Sequence, residues 1–211
     1  YGQINGYTYL RDSSGNILTS KGLPIRGPVT VLGNINPKWV GGWNNEFKFK
    51  RFTGSFLLHF NMGGKVFSTT NMMCDQSGQC ANTLKGREVD WNDPGIVVKG
   101  IDRATGQPNT VNVTSEQYFL SLWLIHEQYT YDDSYVKLRE VRVGYDLPDA
   151  LANRFNASTI NVSLVGRNLW THSSIPNIDP EFTYGTGNSQ GFEYAPLPTN
   201  RSIGINLKVT P

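Results

Sequence analysis

Three histidines, two cysteines and a few acidic groups are the side chains through which this chain of 211 residues could do chemistry. His59, His126 and His172 fall in a patterned segment and in two different irregular stretches. No Ser or Cys nucleophile stands at a recognisable spacing from them, and no histidine pair offers a metal two ligands. They are expected to be polar strand or loop residues. Asp132-Asp133, and Asp179 with Glu181, carry enough carboxylate for calcium, but no EF-hand-like loop surrounds them. They are expected to anchor turns and loops. Cys74 and Cys80 lie close together in a Ser/Gly/Gln-rich stretch, where a disulfide-closed loop fits an oxidising compartment. Two unrelated thiols are the alternative, and zinc lacks further ligands. The chemistry implied is therefore neither catalysis nor metal or cofactor binding.

Aromatic side chains are the better functional candidates. Trp91, Tyr118, Trp123, Tyr129, Tyr131, Trp170, Tyr184, Phe192 and Tyr194 stand in the long unpatterned stretches or at their borders. Flat rings stack on sugar faces and offer apolar area at small entropic cost. Trp91, Trp123, Trp170, Tyr184 and Tyr194 are singled out as ligand-binding candidates. The competing roles are packing of loops on their own aromatics and the Tyr/Trp girdles of membrane barrels.

The elements that must position these residues are strands. Charged residues make up 17% of the chain, below the roughly 25% of an average soluble protein. Ile203, Ile205, Leu207 and Val209 alternate with Ser202, Gly204, Asn206, Lys208 and Thr210. The same period of two recurs at 160–164, at 55–61 and in Trp43, Phe47 and Phe49. In 135–145 the phase slips, and a β-bulge near Arg139-Glu140 would restore one apolar face. Strands are expected at about 39–50, 54–67, 134–146, 158–170 and 200–210, with a short helix at 115–124. No stretch reaches the roughly 20 apolar residues of a membrane helix. Basic and acidic residues are scattered, with no run that could track nucleic acid.

The connections alternate in length. A tight turn lies around 50–54 and a short link at 147–156, whereas about 68–133 and 171–199 are long. Tight periplasmic turns opposite extended extracellular loops mark a transmembrane barrel, and compact soluble domains seldom hold such long loops. The few patterned segments cannot close a barrel, so 1–211 is expected to be one barrel segment that needs further strands, a partner chain or self-association. The start at Tyr1, without an initiating Met or signal segment, agrees with that. A secreted carbohydrate-binding β-sandwich using loop aromatics is the alternative, and a hydrolase fragment a third.

Several stretches carry a family resemblance. Leu32-Gly-Asn-Ile-Asn-Pro37-Lys-Trp39-Val-Gly-Gly42, Phe47-Lys-Phe-Lys50-Arg-Phe52 and Phe56-Leu-Leu-His-Phe60 come first. Ser134 to Pro148, Val165-Gly-Arg-Asn168-Leu-Trp170, Ile178-Asp-Pro-Glu181 and Arg201 to Leu207 follow. In this order they resemble the C-terminal part of the SusC/RagA family of TonB-dependent outer-membrane transporters. The resemblance implies an all-β fold: the last antiparallel strands of a plugged barrel of about 22 strands. It further implies import of oligosaccharides or peptides across the outer membrane of a Gram-negative-type bacterium, without enzymatic activity. The implied partners are the remaining strands and plug, a SusD-like lipoprotein, TonB through another part of the protein, and lipid. The chain departs from the family's usual aromatic terminus, ending Lys208-Val-Thr-Pro211.

Overall fold

The segments of period two form one antiparallel sheet, and the long connections fold into a second unit with a core of its own. The structure, a computed structural model, describes residues 2–87, 95–182, 185, 187 and 189–211. The elements begin with β1 (Gln3–Tyr9), β2 (Leu18–Ser20), β3 (Leu23–Pro24) and β4 (Arg26–Asn34). Next come β5 (Trp39–Phe49), β6 (Phe52–Met62), β7 (Lys65–Ser68), α1 (Thr69–Gln76), β8 (Ile101–Asp102), α2 (Ser115–Leu122) and β9 (Thr130–Asp132). Last are β10 (Tyr135–Asp146), α3 (Asp149–Ala152), β11 (Thr159–Ser173), β12 (Phe192–Glu193) and β13 (Ser202–Thr210). One unit comprises Pro37–Gly63, Ser134–Ser174 and Leu197–Pro211, and the other Tyr1–Asn36, Gly64–Asp133 and Ile175–Pro196.

The first, the sheet unit, is a five-stranded sheet in the order β13-β11-β10-β6-β5, with antiparallel neighbours throughout. β5 and β6 join through Lys50-Arg51 alone, with Phe49 opposite Phe52. Lys50 takes φ 54°, as the primed turns that suit twisted hairpins demand. The register of β10 shifts between Leu138 and Glu140 against both neighbours. Arg139 is the extra residue there, and Asn168-Leu169 the extra pair on β11, where Asn168 sits at φ 51°. This is the bulge that the phase slip implies, and it keeps Leu138 and Val141 on one face.

Two strand limits differ from the expected ones for local reasons. The segment 54–67 divides into β6 and β7, because Gly63 and Gly64 adopt φ 79° and 87°, left-handed conformations that end a strand. β11 continues to Ser173, three residues past the expected end at 170, because the bulge restores its pairing with β10 up to Tyr135.

The second, the loop unit, is where the expected long connection 68–133 lies, together with strands at 3–9 and 26–34 that the alternation did not reveal. β1 pairs with β4 through two register irregularities, which break the period-two pattern. The N–H groups of Tyr7 and Tyr9 go instead to side chains, His126 Nδ1 at 3.3 Å and Glu127 Oε2 at 2.9 Å. These half-buried donors are thereby satisfied without a third strand. Two small sheets, β12-β7-β9 and β3-β2-β8, complete the strands.

α2 starts with a capping box: Thr114 Oγ1 accepts from the Gln117 N–H at 3.2 Å, and the Gln117 side chain accepts from the Thr114 N–H at 3.1 Å. Phe119 and Leu122, three apart on one helix face, join Ile125, Tyr129, Ile4, Phe67 and Met72 in the core. Burying such side chains stabilises by roughly 1.5–3 kcal/mol each, which allows connections of this length to hold a defined structure.

Candidate functional site

The two faces of the five-stranded sheet differ in chemistry, and that difference is the functional feature of the sheet unit. Cross-strand pairing puts Trp43, Leu58, Leu138 and Trp170 on one face, along with Phe49, Phe52, Tyr145, Val162 and Leu207. The alternation of β13 continues this face with Ile203 (75% exposed), Ile205 (79%) and Val209 (53%). A soluble sandwich would bury such a surface under a second layer; here it is open. Exposed apolar area of this extent on a soluble monomer would be an aggregation hazard, whereas hydrocarbon is its proper solvent.

Aromatic rings bound the face at both strand ends. Trp39 stands at the far end and Phe49, Phe52 and Tyr145 at the hairpin end, the last two rings 4.9 Å apart. Trp39 and Phe49 lie ten residues apart on β5, about 34 Å along a strand at ~3.4 Å per residue. A tilt of ~40° projects this to about 26 Å, the height of a barrel's apolar band. Gly54 lies under the Phe47 ring, where a Cβ would collide with it. No helix among the described residues is long and apolar enough to cross a membrane.

The opposite face is polar and knitted across strands. Lys48 Nζ donates to Asp146 at 2.8 Å, and Asn161 Nδ2 donates to the other oxygen of that carboxylate at 2.6 Å. Arg142 Nε donates to Ser163 Oγ at 3.0 Å, Arg167 Nε to Glu140 at 3.0 Å, and Arg139 stands 3.3 Å from His59 Nδ1. Gly144 leaves room for Thr53 and Asn161, which a Cβ would strike at 2.5 and 3.2 Å. Glu46, Lys48, Ser55, Arg142, Asn161 and Lys208 line a concavity of about 500 Å³ near the hairpin end. Exposed pairs of this kind contribute at most ~1 kcal/mol each. Their consequence is a wettable, charge-balanced wall. The sequence carried a signal for it: charged and amide residues at every second position of the apolar strands.

The described aromatic candidates fall in both units. Trp91 and Tyr184 lie outside the described residues. Trp123 is half-buried against the loop unit's core. Trp170 is 49% exposed, shares the apolar face with Leu138 and stacks on His172 with centroids 6.2 Å apart, a position that suits an interfacial girdle better than a ligand. Tyr194 is exposed beside the buried Glu193. Tyr129 is buried, Tyr118 and Tyr131 pack against the same core, and Phe192 meets Phe67 at 5.7 Å. Among the described candidates of the loop unit, most rings therefore serve its core. Cys74 and Cys80 are joined, with Cα atoms 5.3 Å apart.

Two polar residues of the loop unit have structural roles that spacing gave no hint of. Glu193, fully buried, accepts from Ser68 Oγ at 2.6 Å, from Thr70 Oγ1 and from the Thr70 N–H at 3.3 Å. It thereby holds the segment after β11 to the start of α1. His126 lies against Tyr7 and Phe67 with centroids 5.4 and 5.5 Å away, while Arg26 covers the Tyr7 ring at 4.3 Å. Burial, and then the Arg26 charge, hold the His126 imidazole below its ordinary range. Burial, reinforced by Asp132, lifts the Asp133 carboxyl to about 7. Among the described residues no cluster could hold a metal ion.

No family model matches the chain. It is 25% identical over 186 residues to TonB-dependent receptor P3 of Formosa agariphila, covering 84% of this chain and 17% of that protein. TonB-dependent receptor P26 of the same organism is 25% identical over 213 residues, covering 99% of this chain and 20% of the relative. Among solved structures, the RagAB peptide importer in its closed-closed state superposes with a TM-score of 0.62 at 15% identity, covering 98% of this chain and 22% of that one. Another structure of the RagAB peptide transporter gives 0.63 at 14%. The chain thus spans about a fifth of the length of the proteins it matches. The chain is thus similar in sequence to TonB-dependent receptors, and its wall of one apolar and one polar face has the fold of a section of a TonB-dependent transporter barrel.

Proposed function

We propose that the chain forms part of the wall and outer loops of an outer-membrane importer of oligosaccharides or peptides, driven through TonB. The observation that carries this is the five-stranded sheet with a continuous exposed apolar face on one side and a hydrogen-bonded polar face on the other. Such a sheet separates hydrocarbon from an aqueous lumen. The outer edges of β5 and β13 are where the remaining strands pair, and the plug meets the polar face. The folded loop unit supplies the extracellular side, where a SusD-like lipoprotein acts as lid. The role is transport rather than catalysis.

The test uses the full-length gene in its own bacterium: in-frame removal, fractionation of the wild-type protein, and growth on defined oligosaccharides or peptides as sole carbon source. The expected result is recovery in outer-membrane fractions and a growth defect, restored by the gene, on one of the two cargo classes. Recovery with soluble proteins, or undiminished growth on both classes, would overturn the proposal.

A further inference from the structure

The connection between β10 and β11 is short, yet it doubles back on the sheet instead of simply turning. After Pro148 the chain forms α3 and a single 3-10 turn, Asn153–Phe155, and reverses at Asn156 with φ 51°. Ala152, Ala157 and Ile160 are buried together, with Leu147 packed against them. Ile160 pairs with Val209 and precedes Val162 by two residues, and Leu147 follows Tyr145 by two. Both therefore belong to the apolar face of the sheet. The alanines let the helical turn approach that face closely, so the turn is folded onto the lipid-facing side of the wall.

The surface this turn presents is amphipathic. Leu151, in α3, and Phe155, at the end of the 3-10 turn, are 41% and 72% exposed. Arg154 lies in the same turn, and Arg51, in the neighbouring hairpin, stands 3.8 Å from Asp149, the one acidic residue of the turn. A short element with exposed apolar side chains and cations beside them lies in the plane of a membrane interface, and long basic side chains reach the phosphates while their stems stay in apolar surroundings.

We propose that the β10–β11 turn is an interfacial foot: Leu151 and Phe155 enter the headgroup and acyl boundary of the periplasmic leaflet, and Arg154, with Arg51, holds anionic phospholipid headgroups. The proposal rests on the barrel assignment and goes beyond it. The occupant is lipid because the foot is continuous with the lipid-facing surface and its net charge complements phosphate.

The test places a nitroxide at Phe155→Cys in the full-length protein, free of other reactive thiols. The protein is reconstituted in vesicles of phosphatidylglycerol or of phosphatidylcholine. Collision with oxygen and with a water-soluble nickel chelate gives depth, with Ile205→Cys as hydrocarbon reference and Ser14→Cys as water reference. The expected label at 155 lies between the references, ~5–10 Å into the boundary. Adding Arg154→Glu should shift it towards water, more in phosphatidylglycerol than in phosphatidylcholine. A label at 155 as open to nickel as that at 14, or shielded from both relaxants as under a protein partner, overturns the foot. So does an Arg154→Glu shift that is absent or equal in the two lipids. A label at 205 that reads as water would refute the barrel assignment itself.

Discussion

Replacing Ile205 with Arg should disrupt assembly more than any other single exchange on β13. Ile205 lies five residues above Thr210, the last residue of the strand. At ~3.4 Å per residue and a tilt of ~40°, it stands about 13 Å above the turn-side boundary, close to the centre of a band ~25 Å tall. Arginine on the lipid face at that depth costs ~2–4 kcal/mol, roughly 30- to 700-fold in the folding equilibrium. Leu207, about 8 Å above the boundary by the same geometry, should cost less, and Val209 only ~0–1 kcal/mol. Asn206 belongs to the opposite face and pairs with Ser163, so Asn206→Arg should be nearly neutral. The assay is equilibrium urea refolding of the full-length protein into phospholipid vesicles, read as the heat-modifiable folded band. Equal costs at 205 and 206, or costs that do not decline from 205 to 209, would refute the assignment of this face to lipid.

The Cys74–Cys80 bond closes a ring of six-residue separation, for which the loop-entropy relation gives about 2 kcal/mol. Cys74→Ser with Cys80→Ser should therefore weaken amide protection across α1 by about that much, and the unreduced wild type should yield a linked peptide in mass spectrometry. His126 is held below its ordinary pKa of 6.5 by burial and Arg26. The unfolded segment therefore takes up its proton first, and stability that is full above pH 6.5 is lost as the pH falls below it. Protection of the Tyr7 amide, corrected for intrinsic exchange, should decline with acidification in that direction and become insensitive in His126→Gln. Glu193→Ala strands the buried Ser68 hydroxyl, at ~1–3 kcal/mol for an unsatisfied buried donor. It should raise exchange at Thr70 and Asn71 without altering the proportion of folded barrel.

Strand identity was legible because the sheet keeps one face in each solvent, so polarity had to alternate at the period of the pleat. Residues 202–210 show this without interruption, and even the bulge at Arg139 announced itself as a change of phase. The loop unit was not legible in the same way. β1 and β4 carry register breaks, Ile4, Tyr9 and Leu32 serve a core shared with α1 and α2, and the Tyr7 and Tyr9 donors end on His126 and Glu127, more than a hundred residues away. Nothing local in Gln3–Tyr9 encodes those partners. The aromatic candidates show the same boundary. Their type and loop context could be read, whereas the sides to which Trp123 and Trp170 turn depend on which distant segments pack against them.

By itself, then, the sequence determined the strand segments, the two polarities of the wall and the tight hairpin, because each follows from short-range periodicity and turn chemistry. Only the tertiary structure decided that the long connections build a core, that Glu193 ties the last of them to α1, and that α3 lies back on the apolar face. Each of those depends on contacts between segments far apart in sequence, where burial is shared among partners and no single stretch records it.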